Sequence, residues 1–224
     1  MSSELPLRTS QNPVRRALPQ GEQAYSLLRD RIISLEHKPG EYLNIASLVD
    51  ETGFGRTPIN QALQRLASEG LVSILPRKGI LIAPLSIDSA LDLIEVRIVN
   101  ERLSARLAAQ HIDKESIERL RAAAAGFESA VESNTISQIM NSDRMFHETM
   151  VSIAANQHLA DILNVLHAQS QRFWAVSLSA PQHVGEVIVE HRHIVDAIAK
   201  GDADLAADCV ETHIRSFRLA LTGR

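Results

Sequence analysis

The stretch from Phe54 to Pro84, FGRTPINQALQRLASEGLVSILPRKGILIAP, constrains the fold of this chain more than any other segment. Its apolar residues recur at helical spacing from Ile59 to Ala67, which predicts one amphipathic helix that ends at Gly70. Thr57 is expected to cap this helix. Pro58 is expected to take its first position, where the missing N–H would have no partner in any case.

A hairpin is predicted directly after this helix. Leu71–Leu75 and Ile80–Ala83 are expected to be two short strands, joined by the basic, glycine-containing turn Pro76–Gly79. A helix followed by such a hairpin is typical of a winged helix-turn-helix, in which the helix enters the major groove of DNA and the cationic tip meets the backbone or minor groove. An ordinary surface helix with a hairpin is the alternative interpretation.

The residues predicted to contact DNA lie on the polar face of the helix and at the hairpin tip. They are Arg56, Thr57, Asn60, Gln61, Arg65, Arg77, Lys78 and Gly79. Residues 1–84 carry ten Lys and Arg against eight Asp and Glu, a net charge of +2, whereas residues 85–224 carry thirteen against nineteen, a net charge of −6. The positive surplus lies where attraction to phosphates would use it.

The chain before this stretch supplies the remaining helices of a DNA-binding domain. Ala24–Glu36 is amphipathic at helical spacing, Lys38-Pro39-Gly40 breaks the pattern, and Ile45–Glu51 predicts a second, short helix. Residues 1–20 lack periodicity and are expected to form a flexible arm. The winged helix-turn-helix is therefore placed at residues 21–84.

Residues 85–224 are helical by their apolar period, with no strand pattern. Helices are predicted at about 86–110, 113–133, 135–155, 157–179, 183–200 and 202–222. The predicted fold class is mainly α: an N-terminal winged helix-turn-helix and a C-terminal all-α six-helix bundle. No apolar run reaches membrane-spanning length, and the single Cys209 suits a reducing cytoplasm, so a cytoplasmic protein is expected.

Four polar residues interrupt the apolar stripes of three bundle helices. Asp143 and His147 share one face of the third helix, His191 lies on the stripe of the fifth, and His213 on that of the sixth. Burial of these groups without compensation would be costly, and one divalent ion would resolve it, since imidazole and carboxylate bind Zn, Ni, Mn or Fe. The alternative is a set of core histidines bonded to ordinary partners. The other histidines of this domain are expected at surface or cap positions: His111, His158, His167, His183 and His193.

Three segments carry a resemblance to a known family: AYSLLRDRIISLEHKPGEYL, GFGRTPINQALQRLASEGLV and PRKGILIAPLS. In this order they are similar to the DNA-binding domain of the GntR family of bacterial transcription regulators, over about residues 22–86. The resemblance implies that Arg56 touches the operator. This chain has Asn60-Gln61 where the family usually has Arg-Glu, and Ile45-Ala46 where a charged residue is usual. Asn and Gln can read adenine edges.

The bundle also resembles a known domain, through DRMFHETM, EHRHIVDAIAKGDADLAA and ETHIRSF. These segments are similar to the metal-binding parts of the effector domain in FadR-type GntR regulators, of the VanR-like subgroup. The resemblance implies a metal, with zinc expected first, at Asp143, His147, His191 and His213. It also implies that Arg97 binds a ligand carboxylate, although Arg97 could equally pair with Glu101 one turn on.

Together these features predict a homodimeric, ligand-responsive regulator, a repressor in the commoner arrangement of the family. It is expected to bind double-stranded operator DNA and a small carboxylate effector. The rival classes are a metal-dependent hydrolase or lyase fused to a winged helix, and a purely structural interaction module. No nucleophile motif accompanies the histidines, and Glu148 points off the stripe, so no enzyme is expected.

Overall fold

The structure of the protein, a computed structural model, describes residues 18–133, 135–177 and 181–223, without the side chains of residues 177 and 181–183. The arm predicted at residues 1–20 lies almost wholly outside the described residues. Within them the chain forms nine helices and three short strands. The predicted fold class, mainly α with a winged helix-turn-helix before a helical domain, is confirmed.

The N-terminal elements build the winged helix-turn-helix. Its helices are α1 (Gln20–Ile33), α2 (Ile45–Thr52) and α3 (Arg56–Ser68), and its strands are β1 (Tyr42–Leu43), β2 (Val72–Leu75) and β3 (Gly79–Ile82). The strands form one antiparallel sheet in the order β1-β3-β2. The β2–β3 hairpin agrees with the predicted one to within a residue. Strand β1 was not predicted, because two extended residues carry no recognisable periodicity.

The start of α3 differs from the prediction. The helix begins at Arg56 with Gly55 as its N-cap, in an extended conformation, and no described side chain bonds the free N–H groups of the first turn. Thr57 and Pro58 are the second and third helical residues, so the predictions that Thr57 caps the helix and Pro58 begins it are wrong. The uncapped first turn presents backbone N–H groups, which favour an anion such as a DNA phosphate.

Six helices follow the wing within the described residues, and their ends agree with the predicted ones to within two residues. They are α4 (Ile87–His111), α5 (Lys114–Ser133), α6 (Ile136–Ala154), α7 (Gln157–Ser177), α8 (Pro181–Ala199) and α9 (Ala203–Thr222). Helix α4 packs against α9, α6 and α7, while α5 and α8 complete the bundle on α6 and α9. None of the described helices has both the length and the apolar character that a membrane crossing needs.

Aromatic side chains fill the centre of the bundle around one imidazole. Phe127 of α5 and Phe146 of α6 are fully buried. Phe146 stacks on His191 of α8 with ring centroids 3.9 Å apart, and Phe127 meets the same imidazole edge-on at 4.9 Å. The apolar core therefore fixes the position of a polar ring that the sequence pattern had already placed inside.

Helix α7 joins the bundle to the winged helix-turn-helix. Gln169 Nε2 donates a hydrogen bond to the Glu69 carbonyl at the end of α3, over 2.7 Å, and Arg172 Nη2 donates to the Ala83 carbonyl just after the wing. A Cβ on Gly70 would lie 2.8 Å from Gln169 Nε2, so the backbone at the end of α3 approaches α7 closely. The two parts of the chain are thus in direct polar contact through one helix.

The wing depends on a glycine at the start of β3. Gly79 has a φ of +98°, and a Cβ there would lie 2.8 Å from the backbone carbonyl oxygen of Leu43 in β1. Arg77 in the preceding turn also has a positive φ, of 65°. Only a residue without a side chain lets β1 and β3 approach this closely at that backbone angle.

We expect Gly79→Ala to lower the free energy of unfolding by about 1–3 kcal/mol, through backbone strain and the clash with Leu43. The matched control is Gly126→Ala in the exposed interior of α5, where an added Cβ meets nothing within 4 Å. That change should raise the free energy of unfolding by about 0.5–1 kcal/mol, since alanine favours a helix. Denaturant titration monitored by circular dichroism measures both, and a neutral Gly79→Ala would contradict the close approach.

Candidate metal centre and DNA-binding surface

Three imidazoles and one carboxylate converge inside the bundle. His147 of α6, His191 of α8 and His213 of α9 are all buried, and each offers a nitrogen within 4.8 Å of those of the other two. His213 Nε2 lies 3.3 Å from His147 Nε2. Asp143 Oδ1 lies 3.7 Å from His147 Nε2 and 3.6 Å from His191 Nε2. The structure thus brings together all four residues that the sequence singled out for a metal.

Two further carboxylates lie beside the outer nitrogens of this cluster. His213 Nδ1 lies 2.8 Å from Glu190 Oε2, and His147 Nδ1 lies 3.4 Å from Glu101 Oε2. A carboxylate behind an imidazole orients the ring and makes its other nitrogen more basic, as behind many metal-binding histidines. The Nε2 atoms of both rings therefore face the middle of the cluster.

The donor set fits a divalent cation. Two atoms that each lie about 2.1 Å from one ion stand roughly 3–3.5 Å apart, close to the spacings of the cluster. Burial, then the neighbouring His213 and His147, hold the pKa of His191 well below its usual value, and burial likewise lowers the pKa of His147. Both rings are neutral at physiological pH, which is the form that binds metals. Neither ring nitrogen of His191 has a hydrogen-bond partner among the described residues.

Two residues beside the cluster were not among the site residues predicted from the sequence. Glu101 of α4 is fully buried beside the cluster, and His167 of α7 lies with Nε2 3.1 Å from Glu101 Oε1. His167 was expected at a surface or cap position and is instead buried, so that prediction is wrong. A signal existed, because His167 follows the buried Leu163 by four residues and precedes the buried Trp174 by seven.

Glu101, His147 and His167 could form a second metal-binding trio, but the Glu101 carboxylate already has a cationic partner. Arg97 Nε donates to Glu101 Oε1 over 2.6 Å. Burial alone would raise the pKa of Glu101, yet the charges of Arg97 and His167 outweigh it and hold that pKa well below the usual value. We therefore regard the three histidines with Asp143 as the better metal site.

Arg97 pairs with Glu101, as one of the two sequence interpretations expected, while its contact with a ligand carboxylate stays a prediction. It pairs with Glu101 and also donates from Nη1 to Ser170 Oγ over 2.6 Å, although only 6% of the residue is exposed. It lines the same cavity as three members of the cluster, Asp143, His147 and His213, with about 450 Å³ of empty space including its mouth. The other lining residues are Asp143, Arg144, His147, His167, Ser170, Gln171, Trp174, Val187, His213 and Phe217. A small anion in this cavity would meet Arg97 and the metal ligands together.

On the outer surface, α3 and the wing present polar and basic side chains. Arg56, Thr57 and Asn60 are exposed on the first two turns of α3. Arg77 and Lys78 are exposed at the wing tip, and Gly79 is half-buried behind them. This surface has the shape and charge to approach a duplex.

Two other residues predicted to contact DNA, Gln61 and Arg65, are exposed and also contact α1. The Gln61 side chain packs over Gly21, at the start of α1. Arg65 lies 3.6 Å above the ring of Tyr25 and pairs with Glu22 at 2.9 Å and with Glu69 at 3.3 Å. Burial and the Glu69 carboxylate raise the pKa of Tyr25 to about 12. Both side chains remain exposed beside α1, and their contact with DNA stays a prediction.

A winged helix-turn-helix joined to a helical domain with an internal polar cavity defines the class of ligand-responsive transcription regulators. Residues 20–82 match the family model of bacterial regulatory proteins of the gntR family, and residues 92–216 match that of the FCD domain. The chain belongs to the GntR family, with the FadR- and VanR-type architecture that an FCD domain marks. The DNA-binding and effector-binding domains predicted from sequence resemblance are those of this family.

Known proteins that align with most of this chain agree with the family assignment. YdhC of Bacillus subtilis, an uncharacterized HTH-type transcriptional regulator, is 26% identical over 85% of this chain and 86% of its own. The HTH-type transcriptional repressor RspR of Escherichia coli is 24% identical over 94% of this chain and 91% of its own. The solved structure of E. coli McbR/YncC superposes with a TM-score of 0.80 at 19% identity, over 88% and 94% of the two chains. The protein is a transcription regulator and not an enzyme.

We expect Glu101→Gln to lower the free energy of unfolding by about 3 kcal/mol, because the change leaves the buried Arg97 guanidinium without its counter-charge. The control is Glu118→Gln, which breaks an exposed pair with Arg121 on α5 and should cost about 0.5 kcal/mol or less. Chemical denaturation of both variants measures the difference. Equal losses would show that the Arg97–Glu101 pair is no stronger than a surface pair.

Proposed function

We propose that this protein is a repressor that binds operator DNA through residues 21–84. In this proposal residues 85–224 form the effector-binding and dimerisation domain, which holds a divalent metal and a small carboxylate. The observation that carries the proposal is the convergence of three imidazole nitrogens and the Asp143 carboxylate beside a cavity that Arg97 also lines. As a DNA-binding regulator it would act in the cytoplasm.

Asp143, His147, His191 and His213 would hold the metal. Zinc suits a set of three imidazoles and one carboxylate, and Ni, Mn or Fe are the alternatives for the same ligands. A divalent cation in this position supplies a positive, Lewis-acidic centre that attracts and orients a ligand carboxylate. Glu190 Oε2 lies 2.8 Å from the outer nitrogen of His213, which orients that ring toward the centre, and Glu101 Oε2 lies 3.4 Å from the outer nitrogen of His147.

Arg97 supplies the second contact to the effector. Its planar guanidinium suits a carboxylate, and it is held in place by Glu101 and Ser170. An effector carboxylate beside Arg97 would compete for the hydrogen bond that the guanidinium now donates to Ser170 on α7. Effector binding would therefore change a contact that α7 makes.

Helix α7 is the element through which binding would reach the DNA-binding domain. Ser170 lies on the cavity, while its neighbours Gln169 and Arg172 bond the Glu69 carbonyl and the Ala83 carbonyl of the winged domain. A small rotation of α7 would change both sets of contacts together. A ligand can shift DNA affinity only as far as it binds one arrangement of the winged domain on the bundle more tightly than another. This difference is typically ~1–3 kcal/mol.

A homodimer is supported by an exposed apolar stripe on α4. Val96, Val99 and Leu103 are 48%, 70% and 45% exposed and recur at helical spacing on its outer face. A second copy of the chain packed on this stripe would form a symmetric interface. Two recognition helices would then meet half-sites about 34 Å apart, one turn of DNA. The relative RspR of Escherichia coli is a transcriptional repressor, which supports repression as the sign of regulation.

We expect Arg56→Ala to weaken DNA binding about tenfold or more, since one bidentate contact to a base contributes about 1–3 kcal/mol. The probe is the duplex that the wild-type chain retains most tightly from a random-sequence pool, and gel retardation gives the affinity. Arg121→Ala on α5 removes the same charge from an exposed position and is the matched control. Equal retardation by wild type and Arg56→Ala would exclude this role for Arg56.

We expect His191→Gln to abolish metal binding, whereas His193→Gln, two residues along the same helix and exposed, should leave it unchanged. The reason is that His191 is a buried donor facing Asp143, and loss of one of four ligands strongly weakens a divalent site. Elemental analysis after loading with Zn²⁺ and dialysis should give about one ion per wild-type chain. A metal-free wild type, or equal contents in the two variants, would reject the site.

The carboxylate is tested with the same zinc-loaded preparations. A panel of two- to six-carbon mono- and dicarboxylates is titrated into the wild-type protein bound to its selected duplex. At least one member should release the wild type, and none should release His191→Gln. Release of both proteins alike would place the carboxylate away from the metal.

A further inference from the structure

Arg29 of α1 is a buried cation that has no role in the proposed response to metal and effector. It is 7% exposed, and its Nε has no hydrogen-bond partner among the described residues. None of the described carboxylates forms an ion pair with it either. A guanidinium keeps its charge in proteins, and a buried charge without a counter-charge is costly. The position therefore favours a binding site for an anion.

The surroundings of Arg29 have room for such an anion. Two neighbouring cavities lie between α1 and the bundle, with empty spaces of about 1160 Å³ and 1020 Å³ including their open mouths. Arg29 and Arg144 of α6 line both. Asn164 and His167 complete the first toward α7, and Gln171 completes the second. The walls are thus shared by the DNA-binding domain and the bundle.

Acidic residues at these cavities do not neutralise Arg29. Four of them line the walls: Asp30, Glu36, Glu148 and Asp161. Glu36 pairs with Arg31, Glu148 accepts from Arg144 over 3.1 Å, and Asp161 accepts from Gln157 over 2.9 Å. Asp30 is exposed on the next position of α1. The guanidinium of Arg29 is left with solvent or a bound anion as its partner.

We propose that the junction between α1 and α6 binds a small oxyanion, a carboxylate or a phosphate, between Arg29 and Arg144. This site is separate from the histidine cluster, although Arg144 also lines the metal-side cavity. An anion here contacts the winged domain through Arg29 and the bundle through Arg144. It therefore stabilises the present arrangement of the two domains, in addition to any effect of a ligand at the metal.

The test measures anion binding to the full-length chain by isothermal titration calorimetry and thermal unfolding. The probes are inorganic phosphate and succinate, each against chloride at constant ionic strength, which distinguishes the two oxyanion classes. Arg29→Met keeps most of the apolar stem and removes the charge, and Arg121→Met on the exposed face of α5 is the control. We expect affinity for at least one probe to fall about tenfold or more in Arg29→Met and to be unchanged in the control, since hydrogen bonds to a charged group are lost.

Thermal unfolding gives a second, independent readout. Without oxyanion, Arg29→Met should unfold at the same temperature as the wild type or higher, because an unpaired buried charge has been removed. Arg144→Gln, at a half-buried position, should fold normally and lose affinity in the same direction. Equal binding by the wild type and Arg29→Met would place the anion at the metal cluster instead and overturn the proposal, as would wild-type protein that binds neither probe.

Discussion

The buried ion pair between Arg97 and Glu101 is the interaction on which the rest of the effector domain depends. Both residues belong to α4, the helix that packs against α9, α6 and α7. Arg97 reaches α7 through Ser170, while Glu101 reaches His147 of α6 and His167 of α7. Two opposite charges removed from water must satisfy each other and their remaining hydrogen-bonding capacity, and this requirement aligns three helices. The cavity and the histidine cluster are built around that alignment.

Periodicity predicted most of the architecture, because each bundle helix carries a long apolar stripe and clear ends. The same stripes predicted the cluster, since Asp143, His147, His191 and His213 occupy positions where the pattern calls for apolar residues. The sequence could not give Glu190, which lies off the stripe of α8 and reaches His213 only through the packing of α8 on α9. Glu101 was considered as a partner of Arg97, but its contact with two imidazoles depends on how three helices meet.

The DNA-binding domain shows where local patterns fail. The polar face of α3 predicted Gln61 and Arg65 as DNA contacts, but it did not predict that both also contact α1. Arg65 pairs with Glu22 and Glu69 and lies over the ring of Tyr25. A polar residue on a helix surface can contact a neighbouring helix as well as solvent. The pattern of one helix alone does not distinguish these two environments. The N-cap predicted for α3 is wrong for a similar reason. Gly55, with no side chain to signal its role, takes the position expected of Thr57.

The contact between Gly79 and the Leu43 carbonyl has a consequence for how the protein selects its target. Because β1 leads directly into α2 and also pairs with β3, the hairpin is attached to the start of the helix-turn-helix. The wing cannot swing independently of the recognition helix. The distance between α3 and the wing tip is therefore preset within the chain. Any adjustment to the shape of a duplex then requires the winged domain to reorient on the bundle as one rigid body.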